Sequence, residues 1–196
     1  LSPQALPLLG NVALTWNPAS DSVMVHHVNL IRDGVVIDLL ADQSFEILRR
    51  EQNLEQSMLD GYVTAVLQPP GLRVGDVLDV AHTITTRDLV LAGHFEETLD
   101  LNPLARLERA RFRASWPADL AVQTRASDNW IPLRPRREGN RQIIEFDLGP
   151  LDPVLVPEDA PGRFADVRGV ELSAYGDWSD IAVALKPLYD RARAIA

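Results

Sequence analysis

Residues 23–40 read Val-Met-Val-His-His-Val-Asn-Leu-Ile-Arg-Asp-Gly-Val-Val-Ile-Asp-Leu-Leu, and this stretch decides the fold class. Two segments rich in β-branched residues stand on either side of Asp33-Gly34. Asp-Gly supplies the positive φ angles of a two-residue turn between antiparallel strands, and β-branched residues favour strands. The stretch therefore predicts a β-hairpin with its turn at Asp33 and Gly34.

Short segments of the same kind continue on both sides of this hairpin, separated by turn signals such as Pro69-Pro70-Gly71 and Glu138-Gly139-Asn140. Strands with turns every ~8–12 residues are typical of an antiparallel β-sandwich, immunoglobulin-like or related. We expect residues 77–85 and 89–99 to form one long hairpin. The other expected strands are residues 45–51, 62–67, 120–124, 130–133, 141–148 and 167–173.

A proline-rich stretch and a helical pattern follow the strands. Residues 149–163 contain four prolines and are expected to be an extended crossover, because proline cannot donate to a sheet ladder. Asp177 is expected to cap a helix over residues 179–185, and Pro187 is expected either to kink that helix or to open a second helix at its first turn. The expected apolar stripe of this helix consists of Ile181, Leu185, Leu188 and Tyr189.

These patterns predict an all-β antiparallel sandwich with a short C-terminal helix that leads toward a missing domain. The predicted organisation is a β-sandwich module over residues 1–176. Residues 177–196 are then the start of a linker, or the first helix of a downstream domain.

Composition excludes several function classes. The 196 residues carry a formal net charge of −9, and a field of that sign repels phosphate backbones, so nucleic acid is not expected as a partner. The chain has no cysteine, which excludes thiolate catalysis and cysteine-ligated zinc within it. No apolar segment approaches the ~18 residues that a membrane span needs.

Histidine is the first candidate for chemistry. His82 and His94 lie on the two arms of the long hairpin expected between residues 77 and 99, which would make them diagonal neighbours on one face. A metal site needs three or four ligands, and no third ligand is evident. We interpret both as ordinary surface histidines, and the sequence predicts no catalytic, cofactor-binding or metal-binding residue.

Arginine and tryptophan give two further candidates. The arginine row from Arg106 to Arg113 is a possible anion clamp, since Arg109, Arg111 and Arg113 alternate with apolar residues and share one face of a strand. A solvent-facing row paired with acids such as Glu96 or Glu108 is the preferred interpretation. Four tryptophans suit either a sugar-stacking platform or, preferably, core and domain-junction positions. They are Trp16, Trp116, Trp130 and Trp178.

Six segments in order carry a resemblance to a known family. They are Phe45-Glu46-Ile47-Leu48-Arg49-Arg50-Glu51, Asn53-Leu54-Glu55, Met58-Leu59-Asp60-Gly61, Thr64-Ala65, Leu72-Arg73-Val74-Gly75-Asp76-Val77-Leu78-Asp79-Val80, and residues 178–189. Over roughly residues 12–190 the chain resembles a bacterial domain-of-unknown-function family whose members lie directly upstream of transglutaminase-like domains of the papain-like cysteine protease superfamily in envelope proteins. The resemblance implies a β-sandwich module in the cell envelope or periplasm, without catalytic residues of its own.

Two functions follow as expectations. The first is a non-catalytic accessory module that docks on the downstream domain and positions or recognises a protein or peptidoglycan-like substrate. The alternative is a stand-alone carbohydrate- or peptide-binding module. An exposed apolar patch near Trp178 would favour docking, whereas a concave face that carries an exposed tryptophan would favour ligand binding.

Overall fold

Two units make up the chain, residues 1–89 and residues 90–196, and the described residues of each form two three-stranded antiparallel sheets. We call them unit 1 and unit 2. The computed structural model describes residues 10–49, 61–87, 93–103, 105–127, 130–154, 159, 161 and 168–195.

In unit 1 one sheet has the strand order β1-β5-β4 and the other the order β3-β2-β6. The core between them consists of Val12 and Leu67 from the first sheet, Val28 and Leu30 from the second, and Leu39 from a short 3-10 helix. The strands are β1 (Val12–Trp16), β2 (Asp21–Arg32), β3 (Val35–Asp38), β4 (Glu46–Arg49), β5 (Val63–Leu67) and β6 (Val77–Thr86).

The predicted β2–β3 hairpin is confirmed. Its two turn residues have positive φ angles, 51° at Asp33 and 77° at Gly34, and Arg32 pairs with Val35 across the turn. All four residues of β3 are exposed, and three of them are apolar. Asp38 then caps the 3-10 helix, because its Oδ1 accepts a hydrogen bond of 2.9 Å from the backbone N–H of Leu40.

Strand β2 contains a β-bulge at His26 and His27. The register with β6 shifts between Val25 and His27, so the strand gains one residue there. Side chains alternate between the faces of a strand, and one extra residue reverses the phase of that alternation. Val25 before the bulge and Val28 after it therefore both pack in the core of unit 1.

Unit 2 repeats the plan with strand orders β10-β11-β8 and β7-β12-β9. Its core contains Leu101, Trp116, Ile144, Val170 and Leu172, from both sheets and the segment after β7. The elements are β7 (Glu96–Asp100), β8 (Ala110–Pro117), β9 (Gln123–Ala126), β10 (Arg136–Glu138), β11 (Arg141–Leu148), β12 (Gly169–Ser173) and the helix α1 (Trp178–Ile195).

The predicted fold class, all-β with antiparallel sheets and a C-terminal helix, is confirmed. The long hairpin between residues 77 and 99 is wrong, because β6 pairs with β2 and β7 pairs with β12. Alternation identified both strands, but it holds no information about the partner of a strand. The division into two units was not predicted, and the module boundary at residue 176 stays a prediction.

Two other expectations differ from the structure. Residues 130–133 are not a strand, although Trp130 packs against the core of unit 2; β11 pairs with β10 on one side and with β8 on the other. A single helix of 18 residues runs from Trp178 to Ile195, so it extends beyond the expected 179–185, and Pro187 lies inside it and does not open a second helix. Proline deprives the carbonyl four residues earlier of its donor. That carbonyl belongs to Val183, whose side chain is exposed, so water can reach this side of the helix.

Candidate functional site

The two candidate histidines belong to different units of the chain. His82 lies on β6 in unit 1, whereas His94 precedes β7 in unit 2. The ring of His94 stacks on Tyr175 with centroids 4.4 Å apart, and its Nδ1 lies 3.3 Å from the carbonyl oxygen of Ala174. Among the described residues, no group of three or more His, Cys, Asp or Glu side chains could hold a metal ion.

The arginine row forms ion pairs across the sheet. Arg109 donates to Asp147, and Nη2 of Arg111 donates to Glu145 at 2.7 Å; both acids lie on β11. The guanidinium groups lower the pKa of each carboxyl, Arg109 for Asp147 and Arg111 for Glu145. The row is therefore neutralised, as expected, but by acids on β11 and not by Glu96.

Acids on other segments complete this set of pairs. Nη2 of Arg113 lies 3.6 Å from Oε2 of Glu138, at the end of β10. Arg106 donates to Glu108 at 2.8 Å, which confirms one partner suggested by the sequence, and also to Asp152 at 2.8 Å. An anion would have to displace these carboxylates, so the row is not a ready anion clamp.

The tryptophans separate into core and surface positions. Trp116 is buried, and Trp130 packs on the core of unit 2 with its Nε1 donating to the carbonyl oxygen of Gly169 at 3.4 Å. Trp16 is half-buried at the end of β1. Trp178 differs from the other three, because it is 84% exposed at the first residue of α1.

A cleft of about 380 Å³ lies beside Trp178 within unit 2. Its floor is the outer face of two paired strands, where Arg125 of β9 stands opposite Glu171 of β12 and Gln123 stands opposite Ser173. Alternation directs these four side chains away from the core, which takes Leu172 and Ala126 from the same strands. The sheet thus places a cation, an anion, an amide and a hydroxyl in one cleft.

The wall of this cleft is the turn from β12 into α1. The backbone N–H of Tyr175, a buried residue, donates to Oγ of Ser173 at 3.1 Å. Asp177 caps the helix, because its Oδ1 accepts from the backbone N–H groups of Ser179 at 2.8 Å and Asp180 at 3.1 Å. The hydroxyl of Ser179 and these two N–H groups lower the pKa of Asp177.

Gly176 lets the backbone of this turn approach the side chain of Asp180 in the first turn of α1. Its backbone N–H donates to Oδ2 of Asp180 at 2.9 Å, and a Cβ at this position would lie only 2.8 Å from the same oxygen. These contacts fix the first turn of α1, and with it the backbone of Trp178. The predicted cap at Asp177 is confirmed, with the helix beginning at Trp178.

The cleft has the chemistry of a binding site. Its lining contains no histidine or cysteine, so Ser173 has neither an imidazole base nor a thiol beside it there. The side chains present can donate and accept hydrogen bonds, and Trp178 offers an exposed aromatic ring. The sequence analysis named Trp178 but not Arg125 or Glu171. The alternation of side chains along a strand shows which residues share a face, but it does not show that β9 pairs with β12.

Comparison with known proteins places the fold in a family. Residues 1–155 match the model of DUF3857, a domain of unknown function with a solved structure. The chain belongs to this family. The predicted membership of a domain-of-unknown-function family is thus confirmed. The matched residues of the DUF3857 domain end before β12 and α1, so the cleft is only partly inside the matched region.

A solved structure with the same fold comes from Parabacteroides distasonis and is described as a "putative protease". It superposes on this DUF3857 chain with a TM-score of 0.81 at 12% sequence identity, over 95% of this chain and 37% of the other. The DUF3857 chain therefore spans little more than a third of the length of that protein. A search of curated proteins gave no match.

Proposed function

We propose that this chain is a non-catalytic accessory module of a larger bacterial envelope protein. In this proposal it docks on a downstream transglutaminase-like domain and positions or recognises that domain's protein or peptidoglycan-like substrate. The observation that carries the proposal is an exposed apolar surface on α1. The length comparison supports it, because the chain corresponds to 37% of a larger protein described as a protease.

The apolar surface of α1 follows from helical periodicity. Ile181, Ala184, Leu185 and Leu188 recur at spacings of three and four, which places them on one side of the helix. The first three are half-buried, Leu188 is 38% exposed, and Tyr189 beside them is 69% exposed. We call Leu188 and Tyr189 the docking surface. Aromatic side chains are enriched at protein interfaces, because they bury a large area at little entropic cost.

Catalysis in this proposal belongs to the downstream domain. The chain has no cysteine, so it cannot supply a thiolate nucleophile. The envelope or periplasmic location is part of the same proposal and rests on the family resemblance. In the described part of the chain, no helix is long and apolar enough to cross a membrane.

The first test is the encoded sequence after Ala196. The proposal expects a transglutaminase-like domain with cysteine, histidine and aspartate in that order. A downstream sequence without such a domain contradicts the proposal.

The second test is binding of this chain to the separately expressed downstream domain, measured by calorimetry. Tyr189→Asp is expected to weaken the association at least about tenfold, because it places a charge in an apolar contact. Val183→Asp is the matched control, since Val183 is 72% exposed on the opposite side of α1. Equal losses in both variants, or no association of the unchanged chain, would contradict docking through this surface.

A stand-alone carbohydrate- or peptide-binding module is the second candidate function. The observation that favours it is the cleft beside Trp178. The two candidates differ in one measurable respect, since a stand-alone module binds its ligand without any downstream domain.

A further inference from the structure

Three of the four side chains on the floor of the cleft have no hydrogen-bonding partner among the described residues, whereas Oγ of Ser173 accepts from the backbone N–H of Tyr175. Within the described residues, Arg125, Glu171 and Gln123 form no ion pair or side-chain hydrogen bond, although Arg125 and Glu171 stand opposite each other on paired strands. The arginine row on the other sheet of unit 2 behaves differently, because Arg109 and Arg111 each bond to a carboxylate. Arg125 and Glu171 therefore remain available to a ligand.

The charge of the lining selects an uncharged ligand. Arg125 contributes one positive charge and Glu171 one negative charge on opposite strands, while the carboxylate of Asp177 is already bonded to backbone N–H groups of α1. A charged ligand of either sign would be attracted by one of these two residues and repelled by the other, so the pair gives it no net electrostatic advantage. The net charge of −9 on the whole chain further disfavours anions.

The position of the cleft argues for a polyhydroxylated ligand over an extended peptide. Peptides often bind by adding a strand to the edge of a sheet, where backbone groups are free. The cleft instead covers the face of β9 and the central strand β12, which pairs with β7 and β9 on its two sides. The outer face of these strands presents the side chains of Gln123, Arg125, Glu171 and Ser173. Planar guanidinium, carboxylate and amide groups suit paired hydrogen bonds to adjacent hydroxyls.

Trp178 supplies the apolar part of such a site. Its ring is 84% exposed at the margin of the cleft, and Ile181 lies below it on the next turn of α1. One face of a pyranose ring is a patch of C–H groups that packs on an aromatic ring, while its hydroxyls point outward. A cleft of about 380 Å³ also lies within the range of small-ligand pockets.

We propose that this cleft binds an uncharged saccharide, with the sugar ring on Trp178 and its hydroxyls bonded to Arg125, Glu171 and Gln123. The inference deepens the second candidate function and rests on it, and it is independent of the docking role because Leu188 and Tyr189 do not line the cleft. Ser173 is a further acceptor on the floor.

The test is a titration of the ¹⁵N-labelled chain, without any downstream domain, followed by NMR. The probes are chitotetraose, cellotetraose and maltotetraose, which are uncharged and differ in linkage and substituents. A capped tetra-alanine peptide and tetragalacturonate serve as the peptide and anionic probes. We expect at least one saccharide, at up to about 10 mM, to shift the indole N–H of Trp178 and the amides of residues 123–125 and 171–173.

Substitutions distinguish specific saccharide binding in the cleft from non-specific binding to the surface of the protein. Trp178→Ala is expected to weaken saccharide binding at least about tenfold, and Arg125→Ala to weaken it several-fold, through lost stacking and lost hydrogen bonds. Val183→Ala is the matched control, because it removes an equally exposed apolar side chain elsewhere on α1 and should leave affinity unchanged. Circular dichroism confirms that each variant is folded.

Three results would overturn the inference. One is that none of the saccharides shifts the cleft resonances. Another is that only the peptide or tetragalacturonate shifts them. The last is saccharide binding that survives both Trp178→Ala and Arg125→Ala. None of these results bears on docking through Tyr189, which requires the downstream domain.

Discussion

Units 1 and 2 share one plan but organise their charges differently. Unit 1 has 5 basic and 11 acidic residues, whereas unit 2 has 14 and 17. In unit 1, Nε and Nη2 of Arg32 donate to Asp76 at 2.9 and 2.7 Å, and Nη2 also reaches the carbonyl oxygen of Gly71 at 2.9 Å. Unit 2 instead carries a series of exposed ion pairs across β8, β11 and β10. The same arrangement of sheets thus carries a largely buried ion pair, Arg32–Asp76, in unit 1 and a network of exposed ion pairs in unit 2.

The units also differ in the elements that expose apolar side chains. In unit 1 most of these side chains lie on strands, for example Val36 on β3 and Ile47 on β4. In unit 2 the most exposed ones lie on α1, where Trp178 borders the cleft and Tyr189 forms part of the docking surface. Both proposals on function therefore concern unit 2, although the two units have similar cores.

The largest expected effect comes from matched core substitutions. Leu30 in unit 1 and Leu172 in unit 2 are both almost completely buried. We expect Leu30→Ala and Leu172→Ala each to lower the free energy of unfolding of its own unit by about 2–5 kcal/mol, because each leaves a cavity. Amide exchange measured separately over the two units checks this. A loss below about 1 kcal/mol in one unit would break the comparison of equivalent cores.

The two hairpin turns give the next largest effect. Gly34 in the β2–β3 turn has a φ of 77°, and Gly139 in the β10–β11 turn has a φ of 59°. Valine at either position is expected to destabilise its unit by about 1–2 kcal/mol, since a β-branched residue resists positive φ. Denaturant unfolding measures the change, and Gly149→Val, at a position where φ is not positive and a Cβ meets nothing within 4 Å, is the control. Equal effects of all three substitutions would argue against turn strain.

The smallest expected effect is the pH response that separates the two electrostatic arrangements. The hydrogen bond from Arg32, assisted by the backbone N–H of Arg73, lowers the pKa of Asp76 from 3.8 to about 2. Because the pKa falls on folding, the pair stabilises unit 1 above about pH 4, and this stabilisation is lost as the pH falls through about 2. Asp76→Asn should remove this acid-dependent loss.

Glu145→Gln in unit 2 is the counterpart of that substitution. The pKa of Glu145 is also lowered, chiefly by Arg111, so its contribution has the same sign. Its arginine partners are more than half exposed, whereas Asp76 is 5% exposed, so solvent screening should make the change smaller. Unfolding curves at pH 7 and about pH 2 compare the variants, and a larger acid response at Glu145 would reverse the proposed contrast.

Local chemistry made part of the fold predictable. The Asp33-Gly34 turn, the boundaries of β11 and the cap at Asp177 each depend on residues close in sequence, and each is confirmed. The pairing of β6 with β2 and of β7 with β12 depends on contacts between distant segments. A period of two residues identifies the inner face of a strand but carries no information about which strand lies beside it.

The candidate site was predictable to the same limited extent. Trp178 attracted notice as an aromatic residue, but its exposure follows from its position at the first residue of α1. Arg125 and Glu171 are 46 positions apart in sequence, and only the pairing of β9 with β12 brings them together. The arginine row was interpreted correctly as a paired surface because charge balance requires partners, while the identity of those partners depended on the register of β8 with β11.

The exposure of β3 affects how copies of this chain meet in concentrated solution. Within the described residues β3 is the last strand of its sheet, so its outer N–H and C=O groups face away from β2 and can pair with another chain. Val35, Val36 and Ile37 add apolar surface, while the strand is only four residues long and has Asp33 and Asp38 near its ends. If a second copy paired with β3, the carboxylates of the two copies would lie close together and repel each other. The short length of β3 and this repulsion therefore oppose the self-association that an unpaired edge strand otherwise favours.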